Sequence, residues 1–455
     1  MEEICIMIFR LSKLEQYISI GHMEEYFMIN KKANFKDVLV LGFALFAMFF
    51  GAGNLIFPPY LGFNTSDQWF VGFICFILAD VGLAVLAMLM LARTGKGAVG
   101  ITEVLGSKVS FLLIAANAIC LGPLIAIPRT AATTYELGVY PLLPSIPSWV
   151  SSIVFFVICI ALCLKQSKVV DIIGSVLSPL MVAALAVLII KGIITPIGEI
   201  GTVVRVDSVV KEGIAAGYQT MDMLAGVVLS IGLLLSIKQK GYESVKDQSK
   251  MIGLASVVAA VALFLVYGGL AYLGATTSAV YPEGLSQAEL VVAITKDILG
   301  QPGVALLGFI VMAACLTTAI GLISSFAEYV TGITNGKIGY KTIVIATSVF
   351  SCVISNFGIS TIISFAAPIL ELIYPVFIVL VILAAFSKKI KNNNIYKCAA
   401  GMAFLTSVFS LIETFAHINL GVSKLPLASF GFAWVVPALI GVAMGYVLKD
   451  KKDAA

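Results

Sequence analysis

Apolar stretches of about 20 residues recur from end to end of this 455-residue chain, and that recurrence constrains the fold more than any motif within it. As a helix, each stretch covers the roughly 30 Å of hydrocarbon in a bilayer. Inside hydrocarbon every backbone N–H and C=O must find its partner within the protein, which leaves only helices and closed barrels. A barrel would show alternation in segments of about ten residues, whereas these runs are continuous. Only 12% of the residues are charged, against about 25% in a soluble domain. The fold class is therefore an all-α polytopic membrane protein.

Several function classes fall away on composition. Of the eight cysteines, Cys75, Cys120, Cys159, Cys163 and Cys315 lie in apolar stretches without CxxC or Cys/His spacing, so they read as small buried residues. His22 and His417 are too far apart in the sequence to suggest a metal site. A net charge of +4 does not call for nucleic acid. No HExxH, GxSxG or clustered His/Asp constellation is present, so an enzyme is not expected. With no nucleotide-binding motif, transport would draw on an ion gradient or on partner proteins.

Residues 1–34 read as a polar tail, and "MINKKANFKDVLVLG" from Met28 looks like a natural start, making residues 1–27 an extension. Twelve spans follow, over 36–61, 68–92, 109–135, 148–164, 169–191, 213–237, 251–274, 303–331, 342–357, 361–386, 397–416 and 428–448. Placing the N-terminus in the cytoplasm puts 23 of the 29 basic residues on that side and five outside, with Arg129 undecided. That split supports an even span count with both termini cytoplasmic. Between spans 7 and 8, residues 275–302 read as an external loop carrying a short amphipathic helix.

Span 1 contains its own interruption. "MFFGAGNLIFPPYLG" (Met48–Gly62) places Gly51, Ala52, Gly53 and Asn54 near mid-depth and follows them with Pro58 and Pro59. Each interior glycine costs about 1 kcal/mol against alanine and each proline about 3. Asn54 suits an N-cap that would start a second half-helix. Freed backbone groups at this depth are tolerated only against protein or a watery cavity, so a break predicts a polar site. Taken alone, the stretch also fits a glycine-packed or proline-kinked helix. Span 6 answers it with "AAGYQTMDMLAGVVLSIG", which carries Gln219, Thr220 and Asp222. Interrupted spans at matching positions of two halves point to an inverted-repeat transporter. Residues 35–195 would form one five-helix repeat and 208–390 the other, with spans 11 and 12 in 395–449.

"FGAGNLIFPPYLG", the aspartate-bearing "FVGFICFILADVGLAVLAML" and "GYQTMDMLAG" together resemble the bacterial branched-chain amino acid:cation symporter (LIVCS) family, from about Met28 to Lys451. The resemblance implies a LeuT-type fold, with spans 1–5 and 6–10 as inverted repeats. It also implies cation-coupled uptake of leucine, isoleucine and valine through the plasma membrane, with sodium favoured and a proton as the alternative. No other cofactor, nucleic acid or obligatory protein partner is implied; the lipid bilayer is the remaining partner. Carried over to this chain, the break at Gly51, Gly53 and Asn54 would present the Ala52 and Gly53 N–H groups to the substrate carboxylate. Carbonyls of Phe49, Gln219 and Thr220 would face its ammonium. One sodium would lie among Ala47, Phe50, Ala314, Thr317 and Thr318; a second would use Asn54 and Thr220. Asp222 departs from the wider pattern, and could carry a proton or hold the ammonium.

Other polar groups within spans need partners of their own. These are Asp80, Glu136, Glu328, Glu371 and Glu413. Arg129 and Glu136, seven residues apart on one face of span 3, could form an external gate with span 10. For Thr317 and Thr318 the competing reading is a hydroxyl bonded back to its own helix.

Overall fold

The computed structural model describes residues 34–94, 98–165, 169–387 and 389–448; the expected extension over 1–27, and several lysines used in the charge argument, lie outside them. Among the described residues every regular element is a helix, and each of the twelve predicted stretches is helical in whole or large part. By length and apolarity, six helical stretches suffice to cross a membrane and four shorter apolar helices accompany them, among the described residues.

In chain order, α1 (Phe35–Phe49) and α2 (Ala52–Thr65) flank the first interruption. Helix α3 (Trp69–Ile77) continues through a π-turn at Leu78–Gly82 into α4 (Leu83–Thr94). After the short α5 (Ala98–Thr102), α6 (Ser107–Ile119) passes through a second π-turn at Cys120–Leu124 into α7 (Ala126–Thr133). Helices α8 (Ser148–Lys165) and α9 (Val169–Ile194) follow. The second interruption separates α10 (Val209–Thr220) from α11 (Asp222–Gln239). The remainder comprises α12 (Val245–Thr276), α13 (Gln287–Ile333), α14 (Tyr340–Ser355), α15 (Ile359–Ala385), α16 (Asn393–Ala416) and α17 (Val435–Val447).

Both breaks fall where the sequence places them, but their local chemistry differs from expectation. Phe50 and Gly51 are extended and α2 starts at Ala52, so Gly51 occupies the N-cap position. Asn54 is the third residue of the new helix, and its Oδ1 accepts from the Gly51 N–H at 3.2 Å. It therefore caps backwards rather than heading the helix. Pro58 and Pro59 lie inside α2 and do not lengthen the break. They sit where α2 packs tightly on α12: a Cβ on Gly62 would overlap the Ala271 carbonyl, and one on Gly274 the Pro59 carbonyl. Small residues at a helix contact let two backbones approach this closely.

Span 6 breaks at a single residue. Met221 adopts a left-handed conformation (φ 66°, ψ 17°) between α10 and α11. Span 3 holds a third discontinuity, with Gly122 non-helical ahead of Pro123. The amphipathic helix expected in 275–302 starts at Gln287, capped by Ser286 and Glu289. It joins the following span through a kink at Gly300, whose φ of 69° precedes Pro302. The last helix starts at Val435 rather than near 428, because Leu427 (φ 67°) and Gly431 (φ 82°) turn the chain first.

Candidate functional site

The two breaks meet. The Asn54 amide of α2 donates to Asp222 Oδ2 at the start of α11 (2.9 Å) and to the Tyr267 hydroxyl of α12 (2.6 Å). At the end of α10, the Thr220 hydroxyl donates to Asp80 Oδ1 (2.7 Å). Asp80 lies in the π-turn between α3 and α4, where a widened helical turn redirects its side chain. Asp80 and Asp222 thus stand on either side of the Thr220–Asp222 turn, and Asp80 Oδ2 is buried without a hydrogen-bond partner among the described residues. Asn54, Asp80, Thr220 and Asp222 are all buried.

Arg129 supplies the opposite charge from α7. Its Nη1 donates to the Gln219 carbonyl at 2.5 Å and its Nη2 to the Thr220 carbonyl at 3.4 Å. Arg129 is 4% exposed, and its guanidinium carbon lies 5.8 Å from the Phe57 ring centroid. A Cβ on Gly53 would stand 3.0 Å from Arg129 Nη2 and 3.0 Å from the Phe57 ring. The first turn of α2 thus approaches Arg129 because residue 53 has no side chain. Stacked Tyr218 and Tyr374 rings (centroids 4.4 Å apart) tie α10 to α15 beside this group.

A cavity of about 210 Å³ opens at the meeting point, lined among others by Phe49, Gly51, Ala52, Asn54, Thr220 and Asp222. Arg129, Thr130, Thr317 and Thr318 complete the polar lining. Of the proposed substrate residues, Gly53 and Gln219 lie beside it without lining it. Carbonyls 219 and 220, expected to face an ammonium, are occupied by Arg129. An adjoining cavity of about 10 Å³, sharing Ala47 and Thr317 with the first, is lined also by Phe50, Ala314, Met181, Ile310 and Ala313. That is room for one water-sized particle. Thr318 faces the larger cavity instead. The Thr317 hydroxyl donates to the Ala314 carbonyl at 2.9 Å, leaving its lone pairs available. At the second proposed sodium position, Asn54 and Thr220 are tied into the carboxylate network.

The remaining charged groups separate. Glu136 does not pair with Arg129 as a gate; its Oε1 accepts from the Ile359 N–H at 2.8 Å and caps α15. Glu413 accepts from the Val422 and Ser423 N–H groups and the Ser423 hydroxyl, holding the loop before α17. Sequence reasoning left Arg129, Asp80 and Tyr267 outside the proposed site. An arginine and an aspartate within spans were the available signals, and Gly122-Pro123 marked the bend ahead of Arg129.

Broken helices meeting at a buried polar cavity define a class, that of membrane carriers with a central site. Two solved structures share the fold. One is Mhp1, a nucleobase-cation-symport-1 family transporter, in a closed conformation with bromovinylhydantoin bound (TM-score 0.59, 13% identity, covering 90% of this chain and 91% of that one). The other is a Na+-coupled sialic acid symporter in a substrate-bound outward-open state (TM-score 0.59, 14% identity, 90% of each chain). Residues 34–452 match the family described as branched-chain amino acid transport protein, and the chain belongs to that family. The branched-chain amino acid permease BraB of Bacillus subtilis (strain 168) is 36% identical over 430 residues, 91% of this chain and 95% of that protein. A putative branched-chain amino acid carrier protein of Staphylococcus aureus (strain USA300) is 33% identical over 432 residues, 91% of this chain and 96% of its own. This is a multi-pass membrane transport protein and not an enzyme.

Proposed function

We propose that the chain imports leucine, isoleucine and valine across the plasma membrane, coupled to a cation gradient, with sodium favoured. The observation that carries this reading is the 210 Å³ cavity set between a helix N-terminus, an arginine and an aspartate. A free amino acid needs an anion site and a cation site a few ångströms apart, beside apolar surface. The N–H groups of Ala52 and Gly53 sit at the positive end of α2, and Arg129, while holding carbonyls 219 and 220, adds positive charge for the carboxylate. With carbonyls 219 and 220 engaged, the ammonium passes to Asp222 and the Phe49 carbonyl. Met48, Leu121, Ala225 and Leu322 supply apolar lining. A pocket of this kind separates side chains differing by one methylene by only about 1–3 kcal/mol, so the three substrates share it.

The coupling sodium belongs in the 10 Å³ cavity, where a hard cation meets oxygens from Ala47, Phe50, Ala314 and Thr317. The wider arrangement is twelve spans with 1–5 and 6–10 as inverted repeats and both termini cytoplasmic. Alternating access then moves the central site between the two faces. One observation favours a proton as coupling ion instead: two buried carboxyls, Asp80 and Asp222, stand at one turn, and Asp80 Oδ2 has no hydrogen-bond partner among the described residues. Adjacent carboxylates cannot both ionise cheaply.

Purified protein in liposomes, given labelled leucine under a sodium gradient or a pH gradient alone, tests the reading. Concentrative uptake under sodium supports it as stated. Uptake under pH alone moves the coupling to the Asp80–Asp222 pair, and uptake under neither removes the symporter.

A further inference from the structure

A second and larger cavity, of about 470 Å³, lies between α10, α15, α16 and the segment leading into α17. Its walls carry opposite charges: Lys211 on α10 and Glu371 on α15 both line it and attract each other across it, without a direct hydrogen bond or ion pair among the described residues. The third charged group there, Glu413, already holds the loop at Val422 and Ser423.

Two further lining groups are buried and unsatisfied. Gln219 and Trp434 are each 8% exposed, and Gln219 Oε1 and Trp434 Nε1 have no hydrogen-bond partner. A buried polar atom without a partner is costly, and these two differ in kind. Trp434 Nε1 can only donate and Gln219 Oε1 can only accept. Each polarity is therefore present twice, once charged and once neutral. Lys211 with Trp434 Nε1 suits an anionic group; Glu371 with Gln219 Oε1 suits a cationic one. Ile214, Leu370 and Pro375 add apolar wall. A lipid tail would leave all four polar groups without partners.

We propose that this cavity is a second binding site for a free zwitterionic amino acid with an apolar side chain, distinct from the site at the helix breaks. The choice of amino acid class rests on the proposed function. Residue 219 connects the two sites: its side chain lines this cavity while its carbonyl holds Arg129 in the other. An occupant that draws on the Gln219 amide acts on the residue that anchors the central arginine.

The test uses the full chain purified in detergent and labelled L-leucine at equilibrium. Two molecules should bind per chain. Glu371→Gln and Lys211→Ala should each weaken one of the two at least about tenfold, the loss of one charge-assisted hydrogen bond, and leave the other intact. In parallel, with Trp69→Phe and Trp149→Phe leaving Trp434 as the sole indole, leucine should change the Trp434 emission. That signal should survive Gly53→Leu, which blocks the central site, and vanish with Glu371→Gln. One leucine per chain with a silent Trp434 overturns the second site and leaves the central reading standing. No leucine bound at all overturns both. A Trp434 signal lost with Gly53→Leu but kept with Glu371→Gln would place its source at the central site and overturn the proposal.

Discussion

The two helix breaks look alike in sequence terms and differ in what they leave unsatisfied. At the second, the protein supplies its own charges. The carbonyl end of α10, the negative end of its dipole, is held by the Arg129 guanidinium, and α11 starts with a carboxylate at its positive end, Asp222. One residue, Met221, is enough to make the turn. The first break spends two residues, Phe50 and Gly51, in extended conformation. A Cβ at Gly51 would only reach van der Waals contact with Asn54 and Thr318, 3.7–3.9 Å away. No acidic residue lies in the first turn of α2. The lesson is a division of labour. The second break carries both charges that offset its helix ends, while the first has none of its own, and in the proposed function its free backbone groups turn to the solute.

The largest expected effect breaks that comparison at the first site. Gly53→Leu would drive a side chain into Arg129 and Phe57. It should reduce leucine uptake by more than about 100-fold, the scale of a site displaced by an ångström, with membrane abundance unchanged by immunoblot. Near-normal uptake would show that α2 does not face solute.

Next in size is a test of internal neutralisation. Arg129→Gln removes the cation that faces buried Asp222 and holds the Gln219 and Thr220 carbonyls, and stranding a buried charge costs about 3–5 kcal/mol. Its unfolding temperature in detergent should drop and uptake should be lost. Adding Asp222→Asn should recover stability but not uptake. If the double variant is no more stable than the single one, Arg129 and Asp222 do not balance each other.

Much of the fold was legible because hydrocarbon enforces a simple rule, that a span is apolar and about 20 residues long. The breaks were legible for the same reason, since Gly51, Gly53 and Asp222 violate it. What could not be read was which polar groups would find each other. Arg129 and Glu136 share a face of span 3 in sequence, but the π-turns at Cys120–Leu124 and Thr134–Val139 alter the helical phase on either side of Arg129. Glu136 then caps α15 while Arg129 reaches α10. Asp80 likewise meets Thr220 across 140 residues of sequence, and no periodicity encodes such a pairing. Pro58 and Pro59 misled in the other direction. Beside a break they suggest more break, yet α2 carries both in its interior, packed on the glycines of α12.

A moderate effect is expected at the cation position. Thr317→Val keeps the shape of the small cavity but removes one oxygen from it. The sodium concentration for half-maximal leucine uptake should rise about tenfold, near 1.4 kcal/mol of lost coordination, with maximal uptake retained at high sodium. The same substitution at Thr318, which faces the larger cavity, should alter leucine affinity more than sodium affinity. Equal sodium shifts at both positions would contradict the placement of the cation in the small cavity, which Thr317 lines and Thr318 does not.

The smallest effect concerns the single-residue turn. A left-handed conformation costs a residue bearing a Cβ about 1–2 kcal/mol, and Met221 bears that cost at φ 66°. Met221→Gly would remove most of it, offset in part by the roughly 0.5–1 kcal/mol of extra backbone entropy that glycine loses on folding. Unfolding temperature should therefore rise slightly or stay level, and uptake should be kept, because the charges around the turn and not the Met221 side chain define the second break. Met221→Val tests the other side, since a β-branched residue tolerates the left-handed region poorly and should lower stability. Loss of uptake in the glycine variant at unchanged stability would mean that the turn must stay strained to work, and that the second break also moves with the solute.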